Sequence, residues 1–355
     1  MASAIEFPAV TVVIPAYNVE SYIEAAVRSA ALQDYAGELG ILVLDDGSTD
    51  GTLATLKQLQ TELPELQVVS QPNGGRAKAR NRLLELAGTE YIAWLDGDDM
   101  ASPAWVREQM VPLLADHELA AVSGQGYALT ASGKPIGPIV HPLRADDIEA
   151  RHLSGQPNAF FQSTVVVRKS RVLAAGGYRT QFPVAEDFDL WLRLSEHGRL
   201  ENVDALHLYY RVHATSANST LSAEQRHQGT QVLNEARRRR GLPALVSPME
   251  QVDGTRHDWG RRVYWINIAL RSGNPRSALE LLAAALPRHR GSLLLWAFLL
   301  VAVVDCVLFA GNRSSGFAPG RVARVRELPG CSAYRLGRAL VRLRRSLLCK
   351  LRRQF

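Results

Sequence analysis

Cysteine is scarce in this chain: Cys306, Cys331 and Cys349 are the three in 355 residues, all late and far apart. Such spacing makes neither a disulfide framework nor a metal knuckle, and it favours a reducing compartment. No basic stretch followed by an apolar one opens the chain, so no secretory leader is expected. The patterns GxGxxG and GxxxxGK[ST] are missing, which removes the Rossmann dinucleotide loop and the phosphate-binding P-loop. No clean repeat of roughly 34 residues runs through the helical third, which argues against a repeat array. What is present is a globular composition, 46% hydrophobic and 21% charged, with an ample core. The length suggests about two domains, or one large domain with additions. Net charge is +6, and much of the basic excess lies beyond residue 320.

The first hundred residues alternate between apolar, β-branched runs and helical periods. Val10–Ile14, Ile41–Leu44, Val68-Val69 and Tyr91–Leu95 read as strands. Helical periods run through Ile23 and Val27, through Leu53, Leu56 and Leu59, and from Arg76 to Ala87. Helices between strands at this spacing imply right-handed crossovers and a parallel sheet. Three strand ends then carry polar residues, Pro15 to Asn18, Asp45-Asp46 and Asp96 to Asp99, and all should project to one edge, where open α/β sheets place ligands.

Asp96-Gly97-Asp98-Asp99 holds three carboxylates within four positions. An extended backbone would turn Asp96 and Asp98 to one side, where they repel unless a cation lies between them. Oxygen ligands suit Mg²⁺ or Mn²⁺, shared with substrate phosphates. The alternative is a solvated acidic turn. For Asp45-Asp46-Gly47-Ser48 the alternative is a turn plus a helix cap from Ser48 or Asp50, which leaves Asp46 unexplained.

The motifs Val13-Ile14-Pro15-Ala16-Tyr17-Asn18, Leu44-Asp45-Asp46-Gly47-Ser48-Thr49-Asp50 and Leu95-Asp96-Gly97-Asp98-Asp99 resemble, in order and spacing, those of family 2 glycosyltransferases. The similarity covers roughly residues 8 to 215 and implies a GT-A fold. It further implies a nucleoside-diphosphate sugar donor and a divalent metal, Mn²⁺ or Mg²⁺. By position, Asp46 is similar to the carboxylate that meets a uracil-type base, and Pro15, Tyr17 and Asn18 to the base and ribose wall. Arg76 and Arg80 lie in the segment family members use near the nucleotide; their other reading is plain solvated helix charge. Asp96 and Asp98 match the metal-binding pair, with Asp98 ahead as the direct ligand.

Ser102-Pro103 has the look of a helix start. Residues 125 to 162 are rich in Gly and Pro and read as mostly loop, with one helix near Ala145 to Leu153. Ser163–Val167 reads as a strand. In Ala185–Leu194, Leu190, Trp191 and Leu194 share a helical face, and Glu186 and Asp187 stand in the first turn, where the helix dipole favours negative charge. The segment also resembles the family's Glu-Asp motif, which makes Asp187 the base for the acceptor hydroxyl and Glu186 a positioning residue. Trp191 is either core or an acceptor platform. Tyr210-Arg211-Val212-His213 is similar to a run found in the family, which brings His213 toward the metal or the diphosphate; as a lone His it also reads as a satisfied polar residue. The QxxRW element of processive members is missing, which favours single-sugar transfer.

From Ala223 to His289 the pattern is helical, and Asn274–Leu282 resembles one half of a tetratricopeptide-like hairpin. Ser292 to Ala310 is the most apolar run and approaches the ~20 residues that span a bilayer. Asp305 opposes a simple span, at a cost of about 2.5–3.5 kcal/mol on insertion scales. Beyond it, Arg335, Arg338, Arg342, Arg344 and Arg345 alternate with Leu336, Leu340, Val341 and Leu343. That pattern reads as a basic amphipathic helix on an anionic membrane surface, with nucleic acid as the rival partner and not the expected one.

The expectation is therefore an α/β protein of GT-A type, a mixed, mainly parallel sheet flanked by helices. A GT-A domain over 1–220 would precede a helical extension over 221–290 and a membrane-associating part over 291–355. The function expected is an inverting glycosyltransferase acting on a cell-envelope or lipid-linked glycan at the cytoplasmic face of a membrane. A nucleotidyltransferase, or a non-catalytic nucleotide-sugar-binding protein, is the alternative.

Overall fold

The apolar runs of the first hundred residues become the centre of a sheet. The computed structural model describes residues 6–156, 159–213, 223–245, 254–289, 298, 299 and 302. Strand β1 (Val10–Ala16) is followed by α1 (Ile23–Ala31), β2 (Leu39–Asp45), α2 (Thr52–Glu62), β3 (Leu66–Ser70), α3 (Arg76–Leu86) and β4 (Tyr91–Trp94). β1 pairs in parallel with both β2 and β4, and β2 with β3. Then come β5 (Met100–Ala101), α4 (Trp105–Ala115), β6 (Leu119–Thr130), β7 (Pro135–Ile139), α5 (Ala145–Leu153), β8 (Val165–Arg168), α6 (Lys169–Ala174), α7 (Glu186–Leu194) and β9 (Arg199–Val212). β8 runs antiparallel between β4 and β6, β9 lies parallel to β6, and β5 antiparallel to β9. The sheet is thus mixed, in the order β3-β2-β1-β4-β8-β6-β9-β5.

Both faces are covered, which is why these strands lack polar alternation. Val10, Val12 and Ile14 pack with Ile23 and Val27 of α1, Leu56 of α2 and Trp105 and Met110 of α4. Val13, Leu42, Ile92 and Trp94 face the other way, onto Leu83 and Leu84 of α3, Val172 of α6 and Leu190 of α7. Each such side chain contributes about 1.5–3 kcal/mol by leaving water.

Three expectations are corrected here. Residues 125–130, read as loop, are instead the second half of a twelve-residue strand that begins at Leu119. Gly124 and Gly126 disguised it; they are present because neighbours press on the backbone. A Cβ on Gly124 would stand 2.5 Å from His207 Nδ1, and one on Gly126 2.8 Å from Phe161 Cζ. The backbone after β4 is not extended: Asp99 N donates to Asp96 O at 3.1 Å, closing a turn that leads into β5. Helix α4 starts at Trp105 with Ala104 at the cap position and no side-chain cap, so Ser102 does not cap it.

The chain divides into two units, 1–131 with 138–258, and 132–137 with 259 onward. Helix α8 (Ala223–Arg239) belongs to the first, where Val232, Leu233 and Ala236 pack against Phe182, Phe188 and Leu192. The second unit holds α10 (Pro275–His289) and most of α9 (Gly254–Arg271). There Asn274 Nδ2 donates to Ile136 O at 3.1 Å and Ser277 Oγ to Pro135 O at 2.6 Å. Apart from residues 298, 299 and 302, the apolar run of 292–310 lies outside the described residues, as does the whole basic tail. Among the described residues no helix is long and apolar enough to cross a membrane.

Candidate active site

β1, β2 and β4 deliver their polar ends to one edge of the sheet. Pro15 lies in β1, and Tyr17, just beyond it, is 49% exposed. Asn18 adopts φ 52°, a left-handed conformation that Asn tolerates better than most residues. Its N–H donates to Ser48 Oγ at 3.0 Å and its Oδ1 accepts from Thr49 N at 2.8 Å, fastening the ends of β1 and β2 together. Ser48 therefore serves Asn18, whereas Asp50 accepts from Thr52 N at 3.0 Å at the start of α2.

Asp46 is buried, and its carboxylate organises the loop before α3. It accepts from Gln71 Nε2 at 2.7 Å, Gly74 N at 2.9 Å and Gly75 N at 2.9 Å. A carboxylate is suited to this, since it offers several lone pairs to a tight turn. Gly75, with φ 83°, then opens α3.

At the end of β4 the three carboxylates diverge. Asp96 Oδ1 accepts from Arg80 Nη2 at 3.1 Å, Asp98 Oδ2 lies 2.9 Å from His213 Nε2, and Asp99 Oδ1 accepts from Arg211 N at 2.9 Å. Burial pushes the Asp96 carboxyl above its ordinary value; Arg80 opposes the shift, while Asp98 and Asp187 add to it. Asp99 is raised further, by burial and then by Asp98 and Asp96. The three carboxylates thus have separate partners yet lie close enough to raise one another.

The first turn of α7 adjoins this cluster, since Arg80 bonds both Asp96 and Glu186. Asp187 is partly exposed, and its Oδ1 accepts from Phe188 N at 2.7 Å. Glu186 is 1% exposed. Its Oε1 meets Arg80 Nη1 at 2.6 Å and Arg76 Nε at 3.4 Å. Burial pushes the Glu186 carboxyl up to about 7, against the pull of Arg80 and with a further push from Asp187. Arg76 stays part-exposed and donates to Pro183 O at 3.1 Å.

Two expectations are corrected at the site. Arg80 is neither a solvated helix charge nor open to a nucleotide: it is 4% exposed, enclosed between Asp96, Glu186 and the Tyr178 ring. Trp191 is 2% exposed and meets Phe160 edge-on, with centroids 5.0 Å apart. Its ring is core and offers no face to an acceptor.

Sequence reasoning passed over three residues here. Arg211 donates through Nε to Asp98 O at 3.1 Å and lies over the Tyr22 ring at 4.9 Å. Tyr22 also packs against His213, with centroids 4.7 Å apart. Thr164 has φ 57°, an outlier for a β-branched side chain, and its N–H donates to Trp94 O at 2.7 Å. Its neighbour Ser163 accepts from Asp96 N at 3.2 Å. The Tyr-Arg-Val-His run carried a signal for Arg211; nothing in the sequence marks Thr164.

A divalent cation fits the donor set. Asp98 offers an oxygen and His213 a nitrogen 2.9 Å apart, beside two carboxylates whose charge is disfavoured. No group of three or more His, Cys, Asp or Glu among the described residues closes on one point, so phosphate oxygens and water would complete the shell.

The model of Glycosyl transferase family 2 matches residues 11–171 of this chain. The chain is 29% identical over 237 residues to a hyaluronan synthase of Pasteurella multocida, covering 66% of this chain and 24% of that one. It is 31% identical over 206 residues to a chondroitin synthase of the same species, covering 58% and 20%. The chain thus spans about a quarter or less of the length of these two relatives. Among solved structures, S. aureus TarS 1–349 in complex with UDP-GlcNAc superposes with a TM-score of 0.51 at 18% identity, covering 83% of this chain and 80% of that one. That likeness is one of fold, the GT-A arrangement of a mixed sheet between helices.

Proposed function

We propose that this chain is an inverting, single-sugar glycosyltransferase using a nucleoside-diphosphate sugar. The observation that carries this reading is that Arg80 joins Asp96 to Glu186, the neighbour of Asp187, while His213 comes within 2.9 Å of Asp98. The match of residues 11–171 to the family 2 glycosyltransferase model supports the same reading.

Pro15, Tyr17 and Asn18 form the wall for base and ribose. Asp46 acts on the nucleotide by shaping the 71–75 loop, and the part-exposed Arg76 stands on the diphosphate side. Asp98 and His213 would hold Mn²⁺ or Mg²⁺, which when bound would offset charge on the departing diphosphate. Asp187 takes the proton of an acceptor hydroxyl as its oxygen attacks the anomeric carbon from the face opposite the diphosphate. The bond from that carbon to the diphosphate oxygen breaks, and its electron pair leaves with the diphosphate. The configuration inverts because attack and departure lie on opposite faces.

The relatives' names, hyaluronan and chondroitin synthase, support a glycan acceptor. We place it in the cell envelope or on a lipid carrier at the cytoplasmic face of a membrane. Support for the membrane comes from the apolar run and basic tail of the sequence. Removing residues 321–355 should abolish sedimentation with anionic vesicles and leave transfer to a soluble acceptor intact.

The deciding experiment incubates the full chain with a panel of nucleotide sugars, Mn²⁺ and envelope glycan acceptors, and follows nucleoside diphosphate release and product mass. Diphosphate release with one added sugar is expected. Release of inorganic pyrophosphate from a nucleoside triphosphate and a sugar phosphate would identify a nucleotidyltransferase instead.

A further inference from the structure

We infer that Arg80 is a positioning residue that couples the acidic turn after β4 to the first turn of α7, so that donor binding at Asp96–Asp98 sets the placement of Asp187. The inference rests on the reading above and adds a link between its donor half and its acceptor half.

The geometry is a bridge. One nitrogen of the guanidinium, Nη1, donates to Glu186 Oε1 at 2.6 Å and the other, Nη2, to Asp96 Oδ1 at 3.1 Å. Glu186 is the immediate neighbour of Asp187, and Asp96 lies two residues before Asp98. The side chain has little freedom, being 4% exposed with its guanidinium 5.6 Å from the Tyr178 centroid. The next residue, Asn81, pins the same region. Its Nδ2 donates to Tyr178 O at 2.7 Å and its Oδ1 accepts from Tyr178 N at 2.9 Å. Helix α3 therefore grips both the β4 turn and the segment leading into α7.

A bridge built only for stability would not look like this. Burying the Glu186 carboxylate and the Arg80 guanidinium is expensive, and apolar side chains of similar volume commonly do as well or better. The bridge is also incompletely satisfied: Arg80 Nε and Glu186 Oε2 are both buried without a hydrogen-bond partner. Unsatisfied buried polar groups mark places where stability has been given up for something else. A rigid two-ended cation is what coordination of two turns requires, because the planar guanidinium holds both ends at a set separation, as a lysine ammonium cannot.

The test uses hydrogen exchange on the full chain with UDP or GDP and Mn²⁺, in wild type, Arg80→Lys and the double variant Arg80→Gln/Glu186→Gln. Nucleotide should slow exchange at residues 96–99 and at 185–189 in wild type. In both variants protection should remain at 96–99 and vanish at 185–189. Transfer kcat should fall about a hundredfold, as small misplacements of a base do, while the donor KM holds. The double variant removes one charge of each sign, which keeps a foldable protein available. Should it regain wild-type melting and wild-type kcat together, Arg80 merely neutralises Glu186 and the coupling is refuted. Protection at 96–99 alone in wild type refutes the coupling and spares the glycosyltransferase reading. Failure of every nucleoside diphosphate to bind refutes that reading, and the coupling with it.

Discussion

His213 Nε2 lies 2.9 Å from Asp98 Oδ2, two groups separated by 115 positions in the chain. β9 pairs antiparallel with β5, directly after the acidic turn, and this pairing sets the approach: Met100 faces Tyr209. Arg211 reinforces it by donating its backbone N–H to Asp99 and its Nε–H to Asp98 O. Tyr22 also packs against the imidazole. Asp98→Asn and His213→Ala should therefore both weaken Mn²⁺-dependent nucleotide binding. The loss should be at least the roughly 10- to 100-fold that follows removal of a supporting group at metal sites. Calorimetric titration of UDP or GDP with and without Mn²⁺ checks this, and an unchanged metal requirement in His213→Ala would remove His213 from the ion.

Asp187 predicts a different pattern. It is partly exposed in the otherwise buried first turn of α7, beside the cluster yet outside the Asp98–His213 pair. Asp187→Asn keeps the size of the side chain and removes its ability to take a proton. Transfer should drop by about 10²–10⁴-fold, the usual worth of a positioned base, with nucleotide affinity retained. Turnover near wild type would assign the proton to another group.

Glu186 gives a dependence on pH. Burial raises its carboxyl in the folded state to about 7, from an ordinary value of 4.5. Between those values the native state holds a proton that the unfolded state has released. Stability from this group is thus present at low pH and is lost as pH rises through the window, by up to about 1.4 kcal/mol per pH unit. In Glu186→Gln that loss disappears. Compared at pH 5 and pH 8, the melting temperature of wild type should fall relative to the variant. Parallel profiles would show that Glu186 does not titrate in this range.

The sequence disclosed the frame because that frame rests on local patterns. The runs of β1, β2 and β4 are apolar throughout since helices cover both their faces, and their polar ends mark the edge where Asp46, Asp96 and Asp98 gather. The adjacency of Glu186 and Asp187 in a helical first turn was likewise readable. Burial was less accessible. Arg80 lies on a helix whose composition is mostly polar, and only the long-range approach of Asp96 and Glu186 encloses it. Trp191 shows the same limit from the apolar side. Its spacing with Leu190 and Leu194 fits a core face, and Phe160, some thirty positions upstream, completes its enclosure.

Strand β6 furnishes the last expectation, because its glycines made it resemble a loop. At Gly124 the backbone runs against His207, whose Nδ1 bonds Gln109 Nε2 at 2.9 Å and whose Nε2 lies 3.0 Å from Glu108. A methyl group there would also approach Ala205 O to 3.0 Å. His207 is fully buried and cannot swing aside without leaving Gln109 short of a partner, and the Ala205 carbonyl belongs to the paired strand β9. Gly124→Ala should therefore destabilise the protein by about 1–3 kcal/mol, the usual cost of overpacking. The damage should extend to the site, since β9 carries Arg211 and His213. Thermal melting with and without nucleotide and Mn²⁺ measures both effects. A variant that melts like wild type would mean that β6 and β9 can separate at this point without strain.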